Sequence, residues 1–156
     1  METQGNVKST AATRRLGRLA AVQGLYQMAL GGEGAVLLIR RFQADPSVLL
    51  QEEQSVLAVD AELFGQIVTG VETHQEALDA LIAGSADERL SPQRMEPLLK
   101  AILRAGAFEL LHVPASPTGA LISDYVDVAH GFFGSKEPGL VNAILDKIAR
   151  SVRDRV

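Results

Sequence analysis

The sequence predicts an all-α protein, and three observations support this fold class. Apolar residues recur every three or four positions in five long stretches, which is the spacing of an amphipathic helix. No stretch alternates between apolar and polar residues for long enough to indicate a strand. Ala, Leu and Val supply most of the apolar mass, and aromatic residues make up only 4% of the chain, which favours helices over a β-sandwich.

The first third of the chain predicts a tail and two helices. Residues 1–12 are small and polar and predict a flexible tail. Helical spacing follows over 13–30, with Thr13 as the N-cap and the pair Gly31-Gly32 as the stop signal. A short helix is predicted over 35–43, and the segment Asp45-Pro46-Ser47 after it is predicted to interrupt helical structure.

The middle of the chain predicts a long amphipathic helix over 58–83, ended by Gly84-Ser85. The dipeptide Ser91-Pro92 then predicts the start of a strongly apolar helix, which we expect to be the most buried element. Arg104 and Glu109 lie within this helix, five residues apart. Because that spacing does not bring two side chains together along a helix, either residue is free to pair with another helix.

The last third predicts two more helices. Ser116-Pro117 predicts the start of a helix that Gly134 ends, and a loop is expected over 135–139. The final helix has a basic end, which complements the helix dipole. The architecture is therefore a bundle of about six to seven helices within one domain (13–156), with subdomains 13–84 and 85–156.

Charge and composition narrow the functional classes. The net charge is −4, but residues 1–30 carry four basic residues against one acidic residue, which gives a local positive surface. The absence of Cys excludes disulfides, thiolate metal sites and Cys nucleophiles. The polar N-terminus lacks the apolar core of a secretory signal, and no apolar run reaches the roughly 20 residues of a membrane helix. We therefore expect a cytoplasmic protein without membrane contact.

The basic start of the first helix is the strongest binding signal. Arg14 and Arg18 are one helical turn apart, and Arg15 flanks them, so their guanidinium groups suit RNA phosphates. The alternative is a solvated helix start. Tyr26 lies two turns after Arg18, where its ring either stacks on a base or packs half-buried against the core.

No pattern indicates catalysis. His74, His112 and His130 have no histidine or acidic cluster of metal-ligand spacing around them, and neither a nucleophile elbow nor a phosphate-binding glycine loop is present. We therefore expect no enzyme activity, no metal and no cofactor.

Five segments, in this order and spacing, resemble the NusB family of bacterial transcription antitermination factors: Arg14–Arg18, Val22–Tyr26, Phe108–Leu111, Ala120–Ala129 and Val141–Lys147. The resemblance implies an all-α fold of two packed helical subdomains and a non-enzymatic role. It implies pairing with NusE, a small-subunit ribosomal protein, and binding of single-stranded boxA-type RNA in nascent ribosomal RNA transcripts. The pair would act within the antitermination complex of RNA polymerase.

The resemblance also assigns residues. Those implied to face RNA are Arg14, Arg15, Arg18, Tyr26, Lys136 and Asn142. Those on the helix implied to contact NusE are Thr118, Ser123, Asp124 and Asp127. Arg104 and Glu109 resemble the family's buried polar pair, with a structural role.

Several positions depart from the family pattern. Leu16 and Leu19 replace residues that are often charged, Leu140 replaces a usual Phe, and Leu99 stands where some members carry an acid. Ser123-Asp124 replaces a typical Asn-Glu. These departures predict weak RNA binding without NusE, and they leave open a protein–protein adaptor of the same fold with little RNA affinity. Monomer and homodimer both stay open.

Overall fold

The computed structural model describes residues 9–51, 58–87, 94–134 and 136–153. Over these ranges the chain forms helices and no strand, as the sequence predicted. The six α-helices are α1 (Ala11–Gly31), α2 (Ala35–Ala44), α3 (Ala61–Ser85), α4 (Pro97–His112), α5 (Thr118–Phe132) and α6 (Lys136–Val152), with a short 3₁₀ turn at Pro46–Val48. None of the described helices is long and apolar enough to cross a membrane.

Helix α4 is the centre of the bundle. It packs against α1, α3, α5 and α6, and nearly all of its side chains from Leu98 to Leu110 are buried. The prediction of the most buried element is therefore confirmed. The buried apolar residues of all six helices form one cluster, so the core continues across the boundary predicted near residues 84–92. The division into two subdomains stays a prediction.

Helices α3 and α6 pack closely against α4 at two glycines. A Cβ at Gly70 of α3 would lie 2.1 Å from the ring of Phe108, and a Cβ at Gly106 of α4 would lie 2.7 Å from the side chain of Leu145. Glycine at these positions lets the helix axes approach more closely than any larger residue would allow. The interfaces of α4 with α3 and α6 therefore depend on these two glycines.

Helix α1 begins two residues earlier than predicted. Thr10, not Thr13, is the N-cap, and the hydroxyls of the two threonines exchange hydrogen bonds with each other's backbone N–H groups in a reciprocal capping box. The predicted stop is confirmed, because Gly32 adopts the left-handed conformation (φ 79°) that favours glycine. Helix α2 also matches its prediction to within one residue.

Helix boundaries in the second half differ more. The predicted start at Ser91-Pro92 lies outside the described residues, and α4 begins at Pro97. Ser116 does not cap α5, because its hydroxyl donates to Glu109 at 2.7 Å. The loop predicted over 135–139 is wrong from Lys136 onward, where α6 begins. Pro138 fits there because the first N–H groups of a helix have no intrahelical partner.

Candidate functional site

The start of α1 presents two arginines beside a shallow hollow. The hollow has a volume of about 420 Å³, and its walls include small side chains of α1 and α5, among them Ala11, Ala12 and Ala120. Arg14 and Arg15 both line it, as do Arg18 and Asp124. Arg14 is half-buried and donates to the hydroxyl of Ser9 at 3.1 Å, whereas the side chain of Arg15 is 56% exposed.

Two acidic residues of α5 face Arg15. Its guanidinium lies 3.0 Å from the carboxylate of Asp127 and 3.7 Å from that of Asp124. The structure thus brings together one residue that the resemblance assigned to RNA and two that it assigned to the partner. The hydrogen bond between the backbones of Asp60 and Thr13 (3.0 Å) also ties this end of α1 to the start of α3.

Arg18 does not fit its predicted role as an RNA contact. Only 1% of its surface is exposed, and its guanidinium forms a two-point ion pair with the buried carboxylate of Glu109, at 2.7 and 2.8 Å. A third donor reaches Asp124 at 2.8 Å. Burial by itself would lower the pKa of Arg18, but the hydrogen bonds and charge of Glu109 outweigh it and raise that pKa above its ordinary value. Arg18 is therefore a charged residue of the core.

Glu109 receives two further hydrogen bonds. The hydroxyls of Tyr125 and Ser116 each donate to its carboxylate at 2.7 Å. Burial, together with the nearby charge of Glu109, raises the pKa of Tyr125 well above its ordinary value, so the phenol stays neutral and donates. The carboxylate thus has four donors, which is the condition for keeping a charge inside a core.

The sequence contained a signal for this network. Arg18 precedes Ala21, Val22 and Leu25 by three, four and seven residues, so it lies on the apolar face of α1. Glu109 likewise lies on a helix whose other residues are almost all apolar. Opposite charges on two buried faces predict a pair between the helices.

Arg104 and Glu109 do not form a pair with each other. Arg104 of α4 makes a two-point ion pair with Asp79 of α3, with both distances 2.7 Å. The resemblance implied that Arg104 and Glu109 form one buried polar pair. This is wrong, because the two residues belong to two separate ion pairs. Each of the two residues instead pairs with another helix, which their spacing left open.

The four residues assigned to the partner have unequal exposure on α5. Ser123 and Asp127 are exposed, whereas Asp124 is only 15% exposed because it holds Arg18. Thr118 accepts a hydrogen bond from Arg153 at 3.0 Å. Other donors of Arg153 reach the backbone carbonyls of Glu109, Leu110, Val113 and Ser116, so this arginine caps the end of α4.

The remaining residues assigned to RNA lie apart from the hollow. Lys136 and Asn142 are exposed on the first turns of α6, and Tyr26 is half-buried against the core. Lys136 and Asn142 belong to α6, which packs against α5. Their role in RNA binding stays a prediction.

Of the leucines that depart from the family pattern, Leu19 and Leu140 pack against the core. Leu16 and Leu19 line a groove of about 330 Å³ between α1 and α5, and Leu140 is half-buried against the core. Leu99 is 6% exposed, so it is a core residue and not part of an RNA-facing or partner-facing surface.

No grouping of three His, Cys, Asp or Glu side chains in the described ranges could hold a metal ion.

His74 stacks on His112, with 4.5 Å between ring centroids, and His112 stacks on Phe108 at 5.1 Å. Burial, with the charge of His74, lowers the pKa of His112. Helix α3 departs from helical geometry at His74.

Comparisons with known proteins agree with this architecture. Residues 15–150 match the model of the NusB family. The transcription antitermination protein NusB of Rhizobium rhizogenes is 40% identical over 155 residues, which cover 98% of this chain and 97% of the relative. The protein of the same name from Sinorhizobium fredii is 41% identical over 143 residues, covering 92% and 89%.

Solved structures show the same fold. The structure of the antitermination factors NusB and NusE in complex with double-stranded RNA contains a chain that aligns with a TM-score of 0.71 at 23% identity, over 88% of this chain and 96% of that one. The NusB protein of T. maritima aligns with a TM-score of 0.71 at 21% identity, over 92% and 93%. By its sequence over nearly its whole length, the chain belongs to the NusB family.

Proposed function

We propose that this protein is a non-enzymatic, cytoplasmic transcription antitermination factor that pairs with NusE and binds boxA-type RNA in nascent ribosomal RNA transcripts. It would act within the antitermination complex of RNA polymerase. The observation that carries the proposal is the pair Arg14 and Arg15 beside an open hollow, in a chain whose relatives carry the name of antitermination factor.

The chemistry of the hollow supports an RNA backbone as ligand. A guanidinium group offers a planar fork of donors that matches the oxygens of a phosphate. The start of a helix adds partial positive charge from its N–H groups. The small side chains of Ala11, Ala12 and Ala120 leave room for a backbone to approach.

The exposed side of α5 supports a protein partner. Ser123 and Asp127 are exposed there, and Asp127 lies at the rim of the groove between α1 and α5. Phe132, at the end of the same helix, is 42% exposed and also lines that groove. An acidic rim beside an aromatic ring suits a basic protein surface, which is what a ribosomal protein offers.

The test is RNA binding by the purified protein with and without NusE. A boxA-like single strand is compared with a scrambled strand at two salt concentrations. We expect weak binding alone, because two arginines neutralise few phosphates, and selective, salt-sensitive binding with NusE. The log–log salt slope should be about −0.7 for each phosphate neutralised on a single strand. A lack of NusE binding together with a lack of RNA selectivity would contradict the proposal.

A second candidate is a protein–protein adaptor with little RNA affinity. It is favoured by the burial of Arg18 and by the ion pair between Arg15 and Asp127, which together leave less free positive charge than the sequence suggested. The same experiment separates the two functions, since an adaptor would bind NusE but show no salt-dependent RNA binding.

A further inference from the structure

The ion pair between Arg15 and Asp127 joins two exposed side chains at the rim of the proposed RNA site. We propose that Asp127 is an intramolecular counter-ion, which occupies the position on Arg15 that an RNA phosphate would take and thereby lowers the affinity for RNA. The inference rests on the proposed function, because it concerns the same arginine. It adds a residue that sets affinity by competing with the ligand.

Exposure makes this ion pair replaceable. The side chains of Arg15 and Asp127 are 56% and 42% exposed, and one nitrogen–oxygen contact of 3.0 Å joins them. Exposed pairs of this kind contribute little to stability, because water and salt screen them and the long arginine side chain must be held in one geometry. A phosphate can therefore displace the carboxylate without disturbing the fold.

Asp124, the other acid near Arg15, cannot act in this way. It is only 15% exposed and is held by Arg18 at 2.8 Å, while its distance to Arg15 is 3.7 Å. Its charge belongs to the buried network that joins α1 to α5. The exchangeable negative charge at Arg15 is therefore that of Asp127.

Carboxylate and phosphate compete for the same donors. The carboxylate is planar and the phosphate is tetrahedral, but the oxygens of both accept charge-assisted hydrogen bonds from a guanidinium. Arg15 lines the groove that contains Asp127 and also the hollow rimmed by Arg14, so a bound backbone would reach it from the hollow side. Removing the negative charge of Asp127 should leave Arg15 free for that contact.

The test compares Asp127→Asn with a matched control, Glu33→Gln. Glu33 also forms a surface ion pair with an arginine, Arg41, and its substitution changes the net charge equally. Glu33 follows Gly31 at the far end of α1, and the length of α1 from Arg15 to that end is about 24 Å at 1.5 Å per residue. That length exceeds the screening distance of about 8–10 Å at ordinary salt. Binding of a boxA-like strand and of a uridine homopolymer is measured without NusE at two salt concentrations.

We expect Asp127→Asn to bind both strands about two- to fivefold more tightly than the native protein, as the strength of exposed ion pairs implies. The log–log salt slope should become steeper by up to about 0.7. Glu33→Gln should match the native protein. In an Arg15→Ala background, Asp127→Asn should give no gain beyond that of the control, because the competing pair no longer exists.

The outcomes separate this inference from the proposed function. Equal affinity of Asp127→Asn and the native protein, with clear RNA binding by both, would overturn the inference alone. An equal gain in Asp127→Asn and Glu33→Gln would also overturn it, because the effect would then be one of net charge. Absence of RNA binding by all variants, with and without NusE, would overturn the proposed function and this inference with it.

Discussion

The buried phenol of Tyr125 depends on the same carboxylate that neutralises Arg18. Its hydroxyl donates to Glu109 at 2.7 Å, and ionising the phenol would place a second negative charge beside that carboxylate. Burial and the charge of Glu109 therefore raise the pKa of Tyr125 well above the value of about 10 that it has in the unfolded chain. This residue links the stability of the core to alkaline pH.

The sign of this link follows from proton binding. Above pH 10 the unfolded chain releases the phenolic proton while the folded chain keeps it, so the folded state binds more protons. The stabilisation is complete below pH 10 and is lost as the pH rises further, at a rate of up to about 1.4 kcal/mol per pH unit for this group.

We expect the free energy of unfolding to fall between pH 10 and 11 less steeply in Tyr125→Phe than in the native protein. Urea denaturation at a series of pH values measures the two slopes. Tyr125→Phe should also be less stable at pH 7, because one donor to Glu109 is lost. Parallel slopes in the two proteins would contradict the buried, hydrogen-bonded state of this tyrosine.

At the scale of elements, the contact between α3 and α4 depends on a glycine whose neighbours leave no room. A Cβ at Gly70 would lie 2.1 Å from one ring atom of Phe108 and 2.3 Å from another. Gly65, on the same helix, has open space around the corresponding position. The two glycines therefore form a matched pair for testing how closely α3 and α4 pack.

We expect Gly70→Ala to lower the free energy of unfolding by about 1–3 kcal/mol, because the ring of Phe108 must shift. Gly65→Ala should leave it unchanged or raise it by up to about 1 kcal/mol, since alanine favours the helix. Chemical denaturation of both variants measures the difference. Equal stability of the two variants would show that the helices do not approach as closely at Gly70.

Helix existence and type could be predicted from the sequence, because each helix has a strong apolar stripe and a nearby stop. The boundaries were less predictable where two residues could serve the same role. Thr10 and Thr13 both suit an N-cap by residue type. In the structure Thr10 is the N-cap, and the backbone carbonyl of Thr13 accepts a hydrogen bond from the backbone N–H of Asp60. The sequence predicts a loop over 135–139, but α6 begins at Lys136, and Pro138 is tolerated in its first turn.

The candidate site was less predictable because burial is set by the packing of separate helices. The apolar residues three, four and seven positions after Arg18 place it on the buried face of α1, so its pair with Glu109 has a signal in the sequence. The ion pair of Arg15 with Asp127 joins residues 112 positions apart and follows only from the crossing of α1 and α5. Local spacing does not predict the contact of Arg15 with Asp127, because it depends on how two separate helices pack.

At the scale of the whole molecule, the three arginines of α1 serve two different purposes. All three line the hollow, but Arg18 is buried and holds α1 to α4 and α5 through Glu109 and Asp124. Arg15 is exposed and Arg14 is half-buried. A variant that replaces all three would confuse loss of fold with loss of binding. The two purposes require separate variants.

We expect Arg18→Ala to lower the free energy of unfolding by about 3–5 kcal/mol, because it leaves the buried charge of Glu109 without its cation. Arg14→Ala combined with Arg15→Ala should change stability by less than about 1 kcal/mol but weaken RNA binding and flatten its salt dependence. Denaturant unfolding and RNA titration of both variants measure the two effects. A stable Arg18→Ala protein that has lost RNA binding would restore Arg18 to the RNA site and contradict its role in the core. An unstable Arg14→Ala/Arg15→Ala protein would show instead that these two arginines stabilise the fold.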